Sequence, residues 1–255
     1  MRVVSLFDGM SCGQLALDKL GIKPTYFASE IDKYAMQVTK ANYPNTHFIG
    51  DVTKVDAKLL PKIDLLLGGS PCQGFSFAGK QLNFNDPRSK LFFEYVRLLK
   101  QLKPKYFLLE NVRMKKESQD IISEYLGVQP IAINSNLVSA QNRYRLYWTN
   151  IPNITQPKDK KINLKDIIED GLTDRTKSHC IDANYFKGGN LKSYFEKHRR
   201  QLIFSDFNEN TSFRKLSPLE CERLQTVPDG YTKSVSNTQR YRMLGNGWTV
   251  DVISH

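Results

Sequence analysis

The 255-residue chain is short of cysteine, tryptophan and acid: four Cys, two Trp, and 26 Asp/Glu against 37 Lys/Arg, for a formal net charge of +11. Each shortage excludes something. The cysteines, at 12, 72, 180 and 221, show no Cys-x-x-Cys spacing and no paired histidines nearby. Neither a zinc site nor a disulfide framework is therefore expected, and reduced thiols with no bound metal are the default. No apolar run approaches the roughly 20 residues of a membrane span, and Met1-Arg2-Val3-Val4-Ser5 enters a strand pattern without a signal peptide. The expectation is an intracellular protein with no membrane partner, cytoplasmic in a bacterial cell or phage-infected host and nuclear in a eukaryote. In that setting Asn153-Ile154-Thr155 and Asn210-Thr211-Ser212 carry no glycan. Internal repeats and low-complexity tracts are missing too. So is the Gly-x-Gly-x-x-Gly fingerprint: Phe7-Asp8-Gly9-Met10-Ser11-Cys12-Gly13 offers Gly-x-x-x-Gly instead, which disfavours a dinucleotide.

What is present is clustered positive charge and a steady alternation of strand and helix patterns. Residues 80–116 hold ten Lys/Arg against three Asp/Glu, and residues 175–200 hold seven against two, a distribution that suits a polyanion such as nucleic acid. With 40% hydrophobic residues the chain can bury a substantial core. Short apolar runs predict strands at Val3–Phe7, Tyr26–Ser29, His47–Ile49, Asp64–Leu67, Tyr106–Leu109, Ile131–Val138 and Arg145–Thr149. Helical spacing fills the gaps, as from Cys12 to Leu20, closed by Gly21, and from Leu91 to Leu102. This predicts an α/β fold of βαβ units around a largely parallel sheet. The alternation stops from Pro152 to about Arg214, where Lys, Asn and Gly prevail. It resumes at Leu216-Ser217-Pro218-Leu219-Glu220, a capping box with proline at the first helical position. The expected organisation is a core over 1–150, a small lobe over 151–214 and a return to the core over 215–255.

Residues that can do chemistry fall at the carboxyl ends of the strand runs, where open α/β sheets bind ligands. Asp64-Leu65-Leu66-Leu67 leads into Gly68-Gly69-Ser70-Pro71-Cys72-Gln73, and Tyr106-Phe107-Leu108-Leu109 into Glu110-Asn111-Val112. Taken singly, such a cysteine is most often a small buried hydrophobe and such a glutamate a helix cap. Taken together they put a nucleophile and a carboxylate at one sheet edge. Glu30 ends the second run, 21 residues after Gly9, where an acidic side chain can accept both hydroxyls of a ribose; Asp51 follows the third run. Gln141-Asn142-Arg143-Tyr144-Arg145 precedes the last strand run, and Leu244-Gly245-Asn246-Gly247-Trp248-Thr249-Val250 stands near the end.

In this order, from Leu6 to His255, the motifs resemble the DNA (cytosine-5) methyltransferases. The resemblance implies a Rossmann-like methyltransferase fold: a mostly parallel seven-stranded sheet with helices on both faces, plus a small target-recognition lobe. It implies methyl transfer from S-adenosylmethionine to carbon 5 of cytosine in duplex DNA, through base flipping and a covalent adduct with Cys72, assisted by Glu110, Arg143 and Arg145. The implied cofactor site comprises Phe7 on the adenine, the loop residues Asp8, Gly9, Ser11, Cys12 and Gly13, Glu30 on the ribose with Ile31 beside it, and Asp51 and Val52 at the adenine edge. Ser70, Pro71 and Leu91 join it, and Asn246, Gly247 and Trp248 close over the methionine moiety. Gln73, Gly74, Phe75 and Ser76 belong to a loop over 73–90 expected to close behind the flipped base.

Beyond Thr176 the resemblance fades and the reading rests on residue chemistry. Asn184 can bond base edges, Tyr185 can stack, and Lys187 and the glycines at 188 and 189 suit close approach to DNA; Lys192, Lys197, Arg199 and Arg200 are spaced for phosphates. DNA is favoured over tRNA because Ser70 stands where the RNA-methylating branch typically has proline. An inactive DNA-binding paralogue has no reason to keep Cys72, Glu110 and Arg143 together. The small size looks bacterial or phage-borne, the motif details look similar to the animal de novo enzymes, and family members usually continue into a further helix beyond the position of His255. A monomer or homodimer without an obligatory protein partner is expected.

Overall fold

The structure, a computed structural model, describes residues 1–70, 90–208 and 212–255. Val3, Val4, Leu6, Leu65, Leu66, Leu67, Phe107 and Leu109 are all buried, the signature of strands covered on both faces. They lie in β1 (Arg2–Leu6), β4 (Leu65–Gly68) and β5 (Tyr106–Val112). With β2 (Thr25–Ser29), β3 (His47–Phe48), β6 (Ile131–Asn134) and β7 (Tyr144–Thr149) they form, among the described residues, a seven-stranded sheet in the order β3-β2-β1-β4-β5-β7-β6. The pairs from β3 to β5 are parallel, and β7 runs antiparallel to β5. The expected α/β, mostly parallel architecture is thus present.

Two strands are shorter than expected: β3 ends at Phe48 rather than Ile49, and β6 is cut back further. β6 stops at Asn134 rather than Val138, because the Asn134 side chain accepts from the backbone N–H of Asn136 and of Arg143. Those bonds turn Ser135–Leu137 into a single 3-10 turn and divert the chain from the ladder.

The chain divides into two compact units, the first made of Met1–Asp32, Asn45–Ile133 and Tyr144–Gln156 and the second of Lys33–Pro44, Asn134–Arg143 and Pro157–His255. This differs from the expected division at 150/151 and 214/215. Residues 215–255, expected back in the core, group with the lobe for a packing reason given below.

The first unit contains the sheet, α1 (Cys12–Lys19), α3 (Lys90–Leu102) and α4 (Lys116–Leu126). One apolar cluster joins Val4, Leu6 and Leu66 to Phe92, Tyr95 and Leu98 of α3, Ile122 of α4, and Leu109 and Trp148. Gly68 is required there: a β-carbon on it would stand 2.7 Å from the Tyr95 ring. The register then decides where function can sit. Leu6 is level with Ser29 and with Gly68, and Gly68 with Leu109, so β1, β2, β4 and β5 hand over to their loops at one height. Between β1 and β4 the strand order reverses, the crevice where such sheets bind ligands.

The second unit holds α2 (Lys33–Asn42), α5 (Leu191–Lys197), the antiparallel ribbon β8 (Leu202–Phe204) with β9 (Phe213–Lys215), α6 (Pro218–Leu224), α7 (Asn237–Asn246) and α8 (Val250–Ser254). The capping box read at Ser217 and Glu220 opens α6. Glu220 is fully buried and also accepts from both Nη atoms of Arg214 and the N–H of Glu169, so the cap doubles as an anchor for the lobe. α7 meets the lobe with no clearance, since a β-carbon on Gly245 would lie 2.2 Å from the Asp182 carbonyl carbon and 2.4 Å from the Ala183 nitrogen. That contact groups 215–255 with the lobe. Among the described residues no helix is long and apolar enough to cross a membrane.

The two glycines predict different penalties. Gly245→Ala meets backbone, which cannot swing aside, and should cost about 3 kcal/mol, the upper end of the overpacking range. Gly68→Ala meets a tyrosine ring that can tilt and should cost about 1–2 kcal/mol. Urea midpoints of the two variants check this, and equal shifts would contradict it.

Candidate active site

The loop after β1 holds Phe7, Gly9 and Ser11 at φ 58°, 60° and 61°, three left-handed residues within five, two of them not glycine. Each such non-glycine residue costs on the order of 1–3 kcal/mol and persists only where its surroundings enforce it. Part of the enforcement comes from Glu30 at the end of β2. Its Oε2 accepts from Gly9 N at 2.7 Å, and its Oε1 accepts from Ile31 N at 2.7 Å and Asp32 N at 2.8 Å. Ser29 Oγ donates to Gly50 O at 2.7 Å, which brings the third loop alongside. There Asp51 caps a 3-10 turn over Val52–Lys54 by accepting from Thr53 N and Oγ1, bonds that hold its carboxyl below the usual range. Ile31, an apolar side chain, is 76% exposed beside the Glu30 carboxylate, and Val52 is buried. Phe7 is partly buried and packs on the sheet core, whereas Cys12 and Gly13 are buried in the first turn of α1. Gly9 has nothing within 4 Å of where a β-carbon would point, so the loop backbone there is open to an approaching ligand.

At the neighbouring strand ends, Glu110 is buried and forms an ion pair with Arg145 at 3.0 Å. The pairing follows from register: Arg145 lies opposite Val112, which places it diagonal to Glu110 on the same face of the two strands. Asn111, on the other face of β5, donates to the carbonyl of the buried Ser70 at 3.2 Å. Ser70 ends the described part of the loop after β4. Pro71, Cys72, Gln73, Gly74, Phe75 and Ser76, with the rest of the loop to residue 89, lie outside the described residues, and Leu91 opens α3 half-buried.

Two sequence readings need correction. Arg143, expected near the base or its phosphate, is buried and precedes β7 rather than lying on it. Its guanidinium donates to Ile181 O at 3.1 Å, Gly245 O at 3.1 Å, Gly247 O at 2.8 Å and Cys180 Sγ at 3.3 Å. It staples the lobe to the carboxyl-terminal motif within the second unit. Tyr185, expected to stack on a base, is 1% exposed; its hydroxyl donates to Gln201 O and accepts from Leu216 N, and its ring stands 5.7 Å from that of Tyr241. It is a core residue. Arg200 is partly buried and donates to Gly188 O at 2.9 Å. Asn184, Lys187, Lys192, Lys197 and Arg199 are exposed, Arg199 within 3.4 Å of Asp182. In the carboxyl-terminal motif Asn246 is exposed and Gly247 and Trp248 are half-buried, with Gln225 Nε2 donating to Leu244 O and Gly247 O.

Sequence reasoning passed over Tyr26 and Asn111. Both act through bonds to residues 18 and 41 positions away, and no local spacing announces such partners.

Arg143→Ala takes the guanidinium away from the buried carbonyls of Ile181 and Gly245, an unmet buried carbonyl costing about 1–3 kcal/mol, whereas Gly247 O keeps its bond from Gln225 Nε2. It should lower the unfolding free energy read from urea melts by about 2–4 kcal/mol and speed amide exchange at 245–250. Arg143→Lys should lose less. Wild-type exchange in the alanine variant would contradict the staple.

Comparison with known proteins agrees with this geometry. The model of the C-5 cytosine-specific DNA methylase family matches residues 1–126 and 114–255. The chain is 31% identical to the Type II methyltransferase M1.ScrFI of Lactococcus lactis subsp. cremoris, covering 99% of this chain and 76% of that protein. It is 28% identical to the Type II methyltransferase M.HhaI of Haemophilus parahaemolyticus, covering 100% and 92%. The solved methyltransferase EhMeth of Entamoeba histolytica shares the fold, with a TM-score of 0.78 at 17% identity over 100% of this chain and 95% of that one. Motif order, sheet and family match converge: the chain belongs to the C-5 cytosine-specific DNA methylases.

Proposed function

We propose that the protein methylates carbon 5 of cytosine in duplex DNA, with S-adenosylmethionine as methyl donor and Cys72 as covalent nucleophile. The observation that carries the reading is the bond from Asn111 to Ser70 O, beside the buried Glu110–Arg145 pair. Glu110 is thereby held on the strand next to the loop in which Cys72 follows Ser70 by two residues.

The residues after β1 and β2 fit the cofactor: a carboxylate in register with the loop, an exposed apolar side chain at Ile31, and open space at Gly9. Bound there, S-adenosylmethionine supplies a methyl group on an electron-poor sulfonium. Glu30 retains acceptor capacity for a ribose hydroxyl at Oε2, which has a lone pair left beside the bond from Gly9 N, while Oε1 already accepts twice.

Carbon 5 of cytosine is a poor nucleophile in a neutral aromatic ring. Addition of the Cys72 thiolate at carbon 6 turns carbons 5 and 6 into part of an enamine-like system, whose carbon 5 can attack the methyl carbon as the bond from methyl to sulfur breaks and S-adenosylhomocysteine is left. Negative charge developing at ring nitrogen 3 is met by hydrogen bonding from the Glu110 carboxyl, which takes a proton from solvent and gives up its ion pair with Arg145 to do so. Loss of the carbon-5 proton to solvent and expulsion of Cys72 as its thiolate then restore the aromatic ring. A base inside a duplex is out of reach of this chemistry, so the cytosine is flipped out of the stack. In the second unit Asn184 and Lys187 are the candidates for base edges, and Lys192, Lys197 and Arg199 for phosphates. Duplex DNA is preferred to tRNA because Ser70 replaces the proline of the RNA-methylating branch, and because the relatives at about 30% identity carry type II methyltransferase names.

Cys72→Ala should abolish methyl transfer with DNA binding retained. DNA carrying 5-fluorocytosine should trap the wild-type protein as a denaturation-resistant adduct and leave the variant free, because fluorine blocks the final elimination. Methylation by the alanine variant, or no adduct with wild type, would sink the covalent route. Lys197→Ala should weaken binding to every DNA sequence and reduce the salt slope by about one. A changed methylation context with an unchanged slope would place Lys197 at a base instead.

A further inference from the structure

Beneath the β1–α1 loop lies a buried polar cluster that takes no part in the chemistry above. Asp8 is buried, and both its oxygens are taken: Oδ1 accepts from the Tyr26 hydroxyl at 2.7 Å and Oδ2 from the Ser11 hydroxyl at 2.5 Å. Tyr26 reaches it from β2 and is 1% exposed. The Asp8 backbone donates to Ser29 O at 3.1 Å, and Ser11 N donates to Asp8 O at 3.2 Å. Asp8 therefore sits between the left-handed residues Phe7 and Ser11 and binds the loop to β2 at both backbone and side chain.

We infer that Asp8 and Tyr26 are positioning residues, a latch under the loop that presents the backbone around Gly9 to the cofactor without touching it. The inference rests on the cofactor reading proposed above. Charge and burial make the latch sensitive to mild acid. Burial, and to a smaller extent the Glu30 carboxylate, push Asp8 up to about 6, against the lowering pull of the bonds from Ser11 and Tyr26. Burial, and then Asp8 itself, push Tyr26 well above its ordinary range, so Tyr26 keeps its proton and donates throughout. The titratable groups that face the pair are Glu30 and Cys12.

Two consequences run in opposite directions. Because Asp8 titrates higher folded than unfolded, its contribution to stability is fully present below about pH 4 and is lost as pH rises through about 6. The latch itself needs the ionised form. A protonated carboxyl has a hydrogen of its own to place and accepts only neutral hydrogen bonds, so its hold on the two hydroxyls weakens and the loop loosens. Affinity for S-adenosylmethionine should therefore fall as pH drops through about 6, while the Asp8 contribution to stability rises. A merely structural role would move both together.

The test is calorimetric titration of S-adenosylmethionine into wild type, Tyr26→Phe and Asp8→Asn at about pH 7.5 and about pH 5, with melting midpoints of the unliganded proteins alongside. Tyr26→Phe keeps its ring in the core and should weaken binding about tenfold at the higher pH, the scale of one hydrogen bond to a charged group. Wild type should lose a similar factor at the lower pH. Asp8→Asn should bind weakly at both and show no pH step, which also removes Glu30 as the source of the step. Wild-type binding with Tyr26→Phe indistinguishable from it, or a full pH step surviving in Asp8→Asn, overturns the latch alone. No wild-type binding at either pH overturns the cofactor reading, and the latch with it.

Discussion

The pairing of β1 with β4 is the constraint on which the site depends. Val3 to Leu6 lie beside Leu65 to Gly68, and the chain leaves this seam in opposite lateral directions, toward β2 and β3 on one side and β5 on the other. Parallel strands need crossovers, and the crossovers send every carboxyl-terminal loop to the same edge. The carboxylate of Glu30 and that of Glu110 reach that edge from opposite sides of the seam, separated in sequence by 80 positions yet each one residue past a strand position level with the seam. Moving β4 by one residue would turn Gly68 off the Tyr95 ring and put a leucine in its place, so the tyrosine holds the register as well as the core.

The second unit is built on a different principle. Its buried apolar residues, among them a small cluster of Tyr194, Leu202 and Phe204 and others such as Leu216, Leu224 and Leu244, are supplemented by buried ions that each gather several segments. Glu220 collects Arg214, Ser217 and Glu169; Glu222 collects Gly230, Thr232 and Arg240; Arg143 collects residues 180–181 and 245–247. Such hubs add little net stability over apolar packing of the same volume, but each satisfied donor admits only one arrangement of the chain. A lobe poor in regular structure is thereby given a defined shape.

This contrast explains what was legible in the sequence. Strands covered on both faces announce themselves as apolar runs, and the residues just past them, Glu30, Ser70 and Glu110, could be read by counting from the run. The capping box at Ser217 was equally local. Arg143 and Arg145 were harder. On one strand, residues two apart share a face, and both were assigned to the active edge. Asn134 instead ends the strand pairing early, so Arg145 enters β7 and meets Glu110 while Arg143 turns into the other unit. Tyr185 was misread because Asn-Tyr-Phe-Lys-Gly-Gly has the composition of a surface loop; its burial depends on Gln201 and Leu216, which no local pattern marks as neighbours. Boundaries between units failed for the same reason, since the contact of Gly245 with Asp182 spans 63 positions.

The absence of clearance at Gly245 also sets where the lobe can be exchanged. Insertion or deletion between Ile181 and Ala183 would have to move backbone already in contact with α7, and Arg143 holds the Ile181 carbonyl on the other side. From Asn184 onward the exposed side chains of the described residues are less restricted, apart from the backbone contact of Phe204 with Leu172, until β9 returns to Arg214 and its bonds with Glu220. An exchange of this segment with a relative's therefore has natural splice points: the recipient keeps its own 178–183 and 214–217, and the donor must supply a ring at 185 that packs on Tyr241.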